Sequence, residues 1–525
     1  MKDAQLWCEL GLGAAALTGC AGGIRKVNLN SPQRPNIVLI VADDLGYGDL
    51  SCYGMTRIQT PNVDALARNG LLFTDAHAVA STSTPSRYSL FTGHYSWRRS
   101  DTGIAPGNAG MIIRPEQETM ADMLKRAGYT TGAIGKWHLG LGDQTGTQDW
   151  NAEVTPGPRD IGFDYSYLMA ATGDRVPCVW MDNQRVANYD ASAPIYISYQ
   201  TPFEGEPLGK DHPELLTKLK PSPNHGHDQA IVNGISRIGY MKGGGAALWE
   251  DEHIADTLTA RAVEFIRNRR DTTFFLYVGT NDVHVPRFPK ETFRGKSGMG
   301  YRGDAILQFD WTVGQIVSTL RDEGLLENTL LILTSDNGPV VDDGYADQAV
   351  ELLGDHRPWG DFRGGKYSSF EAGTRVPLIV HWPRSVKSGR KTAALFSHID
   401  LFASLARLVK GSAPSTKQLP TDAAPDSRDN LRALLGLDKH GRDYVIEASP
   451  WTLSVTDGTW HYIQPSKGPA LNRLTNTELG NTLDEQLYNL HDDVGEQHNL
   501  APNQTNMVSE LKAILEQEKS LGYIL

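Results

Sequence analysis

Apolar positions along the chain gather into short uninterrupted runs, separated by stretches with helical spacing. Asn36–Ala42 (NIVLIVA) is a continuous apolar run of strand length, the pattern of a parallel strand buried on both faces. Comparable runs lie at 130–134, 273–278, 330–333 and 376–380. Between them stand punctuated helical patterns. Thr60-Pro61 supplies a cap and a first-turn proline, Val63, Leu66 and Ala67 form an apolar face, and Gly70 closes the segment. Residues 115–127 repeat the device, with Met120, Met123, Leu124 and Ala127 on one side, and 304–323 form a longer example. Strands alternating with helices predict the α/β class, with a large doubly wound, mixed but mainly parallel sheet flanked by helices.

After a helix-like run at 402–408 the periodicity stops. Residues 411–428, rich in Ser, Pro, Thr and Asp, read as a linker. Residues 444–447, 453–455 and 460–464 read as short strands with Asp457-Gly458 as a hairpin turn, and 506–519 as a final helix. The expected organisation is a catalytic domain over 35–410 and a smaller domain of antiparallel sheet plus helix over 411–525. Residues 200–245, with little periodicity and many Gly, Pro and His, read as a long inserted loop near the substrate entrance.

Composition narrows the classes. Of 525 residues, 40% are hydrophobic and 21% charged, which excludes global disorder. The absence of any apolar run of roughly 18 residues excludes a multi-pass membrane protein. A net charge of −12 leaves no polyanion-binding footprint, so nucleic acid is excluded as the main ligand. Four scattered cysteines without a CxxC pair make neither a disulfide framework nor a zinc site, and whether Cys52 and Cys178 pair is left open. Lys2, the apolar 10–17 stretch and Leu17-Thr18-Gly19-Cys20 resemble a bacterial lipoprotein signal. Residues 1–20 are therefore expected to be removed up to Cys20, which would carry the lipid that tethers a periplasmic protein to the membrane. An ordinary signal peptide is the alternative.

The strands are followed by the informative residues. Asn36–Ala42 runs into Asp43-Asp44, 130–134 into Gly135-Lys136-Trp137-His138-Leu139-Gly140, 273–278 into Asn281, Asp282 and His284, and 330–333 into Asp336-Asn337-Gly338. In an open α/β sheet, ligands bind beyond the carboxyl ends of the strands. Any one of these residues is most simply a cap or turn; the same coincidence at four strands points to a site. Asp43, Asp44, Asp336 and Asn337 offer oxygen donors only, which suits Ca²⁺ or Mg²⁺ rather than zinc, and three close carboxylates repel one another without a cation. In Ser83-Thr84-Pro85-Ser86-Arg87-Tyr88-Ser89-Leu90-Phe91-Thr92-Gly93, Pro85 in a first turn and Gly93 past the end predict a short helix. Ser83 then stands at its mouth, where free N–H groups favour an anion, with Arg87 one turn in. A capped serine-rich loop is the equal alternative.

That segment resembles the sulfatase signature C/S-x-P-S-R-x-x-x-L-T-G, with Phe91 where leucine is common. The similarity extends through 35–48 (PNIVLIVADDLGYG), 60–73 (TPNVDALARNGLLF), 135–140 (GKWHLG), 335–338, 363–377 (RGGKYSSFEAGTRVP) and 486–501 (QLYNLHDDVGEQHNLA). The chain thus resembles the type I formylglycine-dependent sulfatases of the alkaline phosphatase superfamily, in their serine form. The resemblance implies that Ser83 becomes Cα-formylglycine through a radical S-adenosylmethionine maturase. Its hydrated gem-diol would attack sulfate sulfur and pass through a sulfo-enzyme. It also implies a cation, Ca²⁺ or alternatively Mg²⁺, held by Asp43, Asp44, Asp336, Asn337 and the modified Ser83. Arg87, Lys136 and Lys366 would offset charge on the sulfate oxygens. His284, assisted by Lys366, would protonate the leaving alkoxide, and His138 would deprotonate the second hydroxyl to expel sulfate. Asp174-Arg175 and His356-Arg357 could wall the pocket and recognise substrate hydroxyls, with surface salt bridges as the alternative; His225, His227 and His253 read as structural or surface residues. The implied activity is hydrolysis of O-sulfate from a sulfated carbohydrate, such as a galactose or N-acetylgalactosamine sulfate. A phosphomonoesterase or phosphodiesterase using unmodified Ser83 and a non-catalytic glycan-binding homologue are the alternatives. Pro85-Ser86-Arg87 argues against the first, and the complete catalytic set against the second.

Overall fold

The computed structural model describes residues 34–410 and 423–521. The segment 1–20 expected to be a lipoprotein signal, with Cys20, and most of the expected 411–428 linker lie outside the described residues.

The uninterrupted apolar runs form the centre of a ten-stranded sheet. Asn36–Ala42 lies between Thr329–Ser335 and Phe274–Gly279, and Thr130–Lys136 and Tyr165–Met169 continue the sheet, all five parallel. Ile37 to Val41 have no exposed surface, because both faces of the strand are covered. The sheet is mixed. Leu378–His381, within the run expected at 376–380, pairs antiparallel with Thr329–Ser335, and Trp180–Asp182 and Arg185–Val186 turn back antiparallel at the far edge. Helices Pro61–Arg68, Ile254–Asn268 and Gly300–Asp322 pack together, as do Ser83–Thr92, Met120–Arg126 and Leu401–Val409.

Two expectations change. The 115–127 helix starts at Met120, because Thr119 rather than Pro115 caps it: the Thr119 hydroxyl accepts from Asp122 N (3.1 Å) and Asp122 Oδ2 from Thr119 N (3.0 Å). The 200–245 segment is not bare loop. It carries a strand pair Ile231–Val232/Ile235–Ser236, and Tyr240–Lys242 pairs with Tyr196–Ser198. Its anchor is ionic, buried Arg237 against Asp251 (2.6 Å), so no apolar periodicity announces it. Cys52 and Cys178 are both free.

The C-terminal domain is a four-stranded antiparallel sheet of Val445–Ala448, Leu453–Thr456, Trp460–Ile463 and Gln486–Asn489, covered by the helix Thr505–Ser520 through Val508, Leu511 and Leu515. It is joined to the catalytic domain by a buried ionic network. His77 sits between Asp75 (2.8 Å) and Glu447 (2.7 Å), and His461 donates toward Glu496 (2.7 Å). Arg375 joins Glu371 (2.7 Å) and Asp75. Asp75, His77 and Glu371 lie close enough to share an ion, but the Arg375 guanidinium already supplies positive charge there. Glu496 also accepts from the Glu371 backbone N–H (2.7 Å), five residues past Lys366, so the smaller domain anchors the loop that carries this lysine.

Burial alone would strip both imidazoles of their protons. At His77 the carboxylates of Glu447, Glu371 and Asp75 together outweigh it, pushing that group up to about 10, and at His461 those of Glu496, Glu371 and Glu447 together do so, up to about 9. Both groups bind protons more tightly folded than unfolded. Their stabilisation is complete below the ordinary imidazole value near pH ~6.5 and disappears as pH rises through 9 to 10. Thermal unfolding should therefore show a falling Tm between pH 7 and pH 10. Glu447→Gln, which removes the foremost of the carboxylates around a buried imidazolium and leaves Asp75, should cost up to about 3 kcal/mol at pH 7 and flatten that slope. A wild-type Tm that is level over this range would contradict the assignment.

Candidate active site

Register brings the strand ends level. Ala42 pairs with Ser335, Val41 with Gly279, and Gly279 with Gly135, so the residues that follow emerge side by side at one edge of the sheet. Three of the turning residues hold left-handed backbone although none is glycine: Asp44 (φ 58°), His138 (φ 58°) and Tyr367 (φ 76°). Such conformations cost about 1 kcal/mol or more each and persist where the surroundings enforce them. Gly338 is required by close approach, since a Cβ there would lie 1.8 Å from the Ala372 carbonyl oxygen. Its N–H donates to Gly373 O (2.9 Å), and Lys366 N donates to Pro339 O (2.8 Å), which presses the lysine loop against the Asp336-Asn337 turn.

Ser83 is the first residue of the helix Ser83–Thr92, which follows extended Thr82 and closes on left-handed Gly93 (φ 67°). Ser83 Oγ accepts from Arg87 Nε (3.0 Å) and lies 3.3 Å from His138 Nδ1. His138 Nε2 is 2.9 Å from the Ala105 carbonyl, which can only accept. Nε2 therefore carries the proton and Nδ1 turns its lone pair to residue 83. Arg87 also donates to Asp336 Oδ2 (2.8 and 3.1 Å) and meets the Tyr277 hydroxyl. Lys136 Nζ lies 2.6 Å from Asp43 and 3.6 Å from Asp336; Lys366 Nζ bridges Asp44 and Asp343, 2.8 Å from each. His284 Nδ1 donates to Val285 O (2.6 Å), leaving Nε2 free 3.8 Å from Asp44 Oδ2.

Every member of this cluster is buried. Burial raises Asp43 well above the usual carboxylate range, with Lys136 only partly opposing it. Burial acts the same way on Asp44 and Asp336, but Lys366 with Lys136, and Arg87 with Lys136, together with hydrogen bonds, outweigh it and hold these two low. His138 and His284 are pushed well below the ordinary imidazole value by burial, and next by Lys136 and Lys366 respectively. Lys366 stays protonated, because Asp343 and Asp44 overcome its burial.

The residues fit a hard cation. The Asn337 amide donates to Asp44 Oδ1 (2.8 Å) and to Gly338 O (2.9 Å), and its buried Oδ1 has no hydrogen-bond partner. Asp44 N donates to Asp336 Oδ1 (3.2 Å), so the two turns touch. Asp43, Asp44 and His284 also lie within reach of one ion. Asp43, Asp44 and Asp336 are matched by Arg87, Lys136 and Lys366. An added divalent ion thus leaves the cluster positive and receptive to an anion.

A cavity of about 180 Å³ opens on this cluster, and its lining includes Ser83, His138, His284, Lys366, Asp174 and Arg175. His225 and His227 also line it, although the sequence places them outside the site. Buried His227 donates from Nε2 to Asp174 Oδ2 (2.9 Å). His356 and Arg357 are not brought to the cavity. His356 Nε2 is held by Asp49 (2.8 Å), the carboxylate that also binds Arg302, and Arg357 pairs with Asp361 (3.2 Å) at the surface. His253 is exposed beside Asp256. Asp343 and Tyr367 line the cavity without having been singled out; adjacency of Tyr367 to Lys366 was the one available signal.

Comparison with known proteins shows what the whole chain is similar to. The sulfatase family model matches residues 35–412. The N-acetylgalactosamine-6-O-sulfatase of Bacteroides thetaiotaomicron is 52% identical over 521 residues, covering 99% of this chain and all of that protein. Human arylsulfatase A is 33% identical, covering 78% of this chain and 70% of its own length. A solved 6S-sulfatase structure, described under metabolism of multiple glycosaminoglycans by Bacteroides thetaiotaomicron, is 53% identical with a TM-score of 0.89, covering 93% of this chain and all of that one.

The geometry separates Ser83 from Arg87 energetically. Ser83→Ala leaves Arg87 bonded to Asp336 and should change stability by less than about 1 kcal/mol. Arg87→Ala leaves Asp336 buried without its guanidinium and should cost about 3 kcal/mol. Urea denaturation of both variants measures the contrast, and equal losses would rule out Arg87 as the structural counter-ion.

Proposed function

We propose a substrate and a mechanism for a chain that belongs to the sulfatase family and is a sulfuric ester hydrolase acting on sulfated glycans. The substrate class is the 6-O-sulfate of an N-acetylgalactosamine residue. The observation that carries this is the 52% identity, over essentially the full length of both chains, to an N-acetylgalactosamine-6-O-sulfatase. Arg175 and the Asp174–His227 pair stand at the cavity wall, where they can exchange hydrogen bonds with sugar hydroxyls.

Ser83, within Ser83-Thr84-Pro85-Ser86-Arg87, is the residue to be oxidised to formylglycine by a radical S-adenosylmethionine maturase. Hydrated formylglycine supplies two hydroxyls on one carbon. Asp43, Asp44, Asp336 and Asn337 would hold Ca²⁺, which would supply Lewis-acid polarisation to a sulfate oxygen and to a neighbouring hydroxyl. Around that position the protein's own groups have defined work. Arg87, Lys136 and Lys366 set three fixed positive charges against the sulfate oxygens, preorganised because each is already held by a carboxylate. His138 Nδ1, lone pair facing residue 83, takes a proton from a hydroxyl there and so drives release of sulfate. Lys366, protonated, and the free Nε2 of His284 face the departing alkoxide. Signal cleavage, lipidation at Cys20 and a periplasmic location belong to the same proposal and rest on the 1–20 sequence.

Ser83→Ala should lower kcat at least a thousandfold, and protein made without a serine-type maturase should be nearly inactive. On N-acetylgalactosamine 6-sulfate, excess EGTA should abolish turnover and calcium restore it; full activity in the chelator would remove the calcium assignment. His138 must be neutral to accept a proton, and its pKa is held low. The acid limb of kcat/KM attributable to it should therefore fall below pH ~6.5. A limb lost in a His138→Ala variant but centred above pH 7 would contradict that role.

A further inference from the structure

The catalytic cluster occupies the carboxyl ends of the parallel strands. The opposite edge, where those strands begin, carries charge that the reaction does not use. Arg34 stands just before Asn36–Ala42. Arg68 and Arg321 lie in the last turns of Pro61–Arg68 and Gly300–Asp322, the helices that lead into Leu71–Phe73 and Thr329–Ser335. Arg384 and Lys387 follow the antiparallel strand Leu378–His381, which finishes at this same edge. Arg390 opens Arg390–Thr392, the outermost strand on that side of the sheet. Seven strand residues, about 23 Å, separate this edge from Asp43.

The six cations form one band. Asn328 Nδ2 donates to Arg34 O (3.4 Å), and beside it Arg384 N donates to Glu327 O (3.2 Å). Arg390 N donates to Gly70 O (3.3 Å), two residues past Arg68. Arg321 and His381 line one cavity of about 340 Å³ between the two helices. All six are exposed except half-buried Arg390, and none has a carboxylate partner among the described residues. Of the carboxylates beside them in sequence, Asp64 is turned to Ser51 Oγ (2.6 Å) and Cys52 N (2.9 Å), and Glu323 is paired with Arg267 (3.5 Å) and Arg270 (3.6 Å). Asp322 and Glu327 remain against the six. A chain of net charge −12 thus concentrates positive charge on the edge farthest from its active site.

Cations in a last helical turn offset the helix dipole, and charge on an edge strand discourages pairing with another sheet. Those roles cover Arg68, Arg321 and Arg390. Arg34, Arg384 and Lys387 are in neither setting yet extend the same band, which points to an anionic partner. The chain also indicates which one. It enters the fold at Arg34, and 13 residues separate Arg34 from Cys20. Fully extended they reach roughly 45 Å, so a lipid on Cys20 would hold this edge within that distance of a bilayer. Anionic headgroups attract basic residues near a membrane, and a basic patch adds to the hold of a lipid chain.

We propose that this basic edge docks on an anionic lipid surface, so that the molecule stands with its catalytic cavity turned away from the bilayer. Docking builds on the reading of 1–20 as a lipoprotein signal, yet the attraction itself needs no lipid on the protein.

Vesicle flotation of the full-length Cys20→Ser protein, which cannot be lipidated, measures it at pH 7 and low salt. The probes are vesicles of phosphatidylcholine alone and vesicles that also contain about 30% phosphatidylglycerol. Partition should favour the anionic vesicles on the order of a hundredfold, at about fivefold per uncompensated cation, and the preference should vanish near ~0.5 M NaCl. Combined Arg384→Gln, Lys387→Gln and Arg390→Gln should remove most of it. Lys220→Gln, Arg357→Gln and Arg473→Gln together change net charge equally on the cavity side and should leave it intact; thermal unfolding establishes that both variants are folded. Equal partition into the two vesicles, a preference that survives the edge variant, or one lost equally in the cavity-side variant overturns the proposal. Indifference to anionic vesicles, with retention on a sulfated polysaccharide column that the edge variant abolishes, also overturns it and assigns the edge to acidic glycan. Failure of the anchor reading looks different: the native protein would carry no lipid at Cys20, while the vesicle preference of Cys20→Ser protein would stand.

Discussion

Three carboxylates packed together at a dry sheet edge cannot all stay ionised without matching positive charge, and that constraint organises the molecule. Asp43, Asp44 and Asp336 stand on adjacent strand ends with essentially no exposure. Arg87, Lys136 and Lys366 come to them from a helix, a third strand end and a distant loop. Lys366 also lines the cavity above them, so part of the charge that permits the acidic cluster faces the space an anion would enter, and a divalent ion would shift the balance further toward an anion. Site geometry and fold stability are, to this extent, one problem.

The C-terminal domain takes part in that solution. Its Glu496 holds the Glu371 backbone, and Glu478 O accepts from the Ser368 hydroxyl (2.6 Å), so the loop bearing Lys366 is clamped on its far side. Its small hairpin Leu471–Asn472/Thr477–Glu478 then walls the catalytic cavity. A domain that adds no residue to the acidic cluster still places the Lys366 ammonium beside it and lines part of the cavity above it.

Histidines illustrate how location decides chemistry. His77 and His461 are buried among carboxylates and keep their protons. His138 and His284 are buried among cations and lose theirs. A backbone carbonyl on one ring nitrogen of each of the latter pair then leaves the other nitrogen free, toward residue 83 in one case and toward the Asp44 side of the pocket in the other.

Much of this was legible in the chain. Uninterrupted apolar runs of strand length such as Asn36–Ala42, alternating with helical segments, are the pattern of strands covered on both faces, and polar residues directly after parallel strands gather at one sheet edge. That local logic located Asp43, Asp44, Lys136, His138, His284, Asp336 and Asn337, and proline and glycine punctuation located the helix of Ser83 and Arg87. Residues whose role depends on long-range partners were not legible. His227 reaches the cavity from a segment without periodicity, because Arg237 and Asp251 rather than an apolar stripe anchor it. His356 lies in a similar connection yet turns inward to Asp49. Asp343 matters because Lys366 lies 2.8 Å away. Spacing along a chain reports which face of its own element a residue occupies. Which ion, carbonyl or cavity that face meets is set by elements far off in sequence, and only their packing decides it.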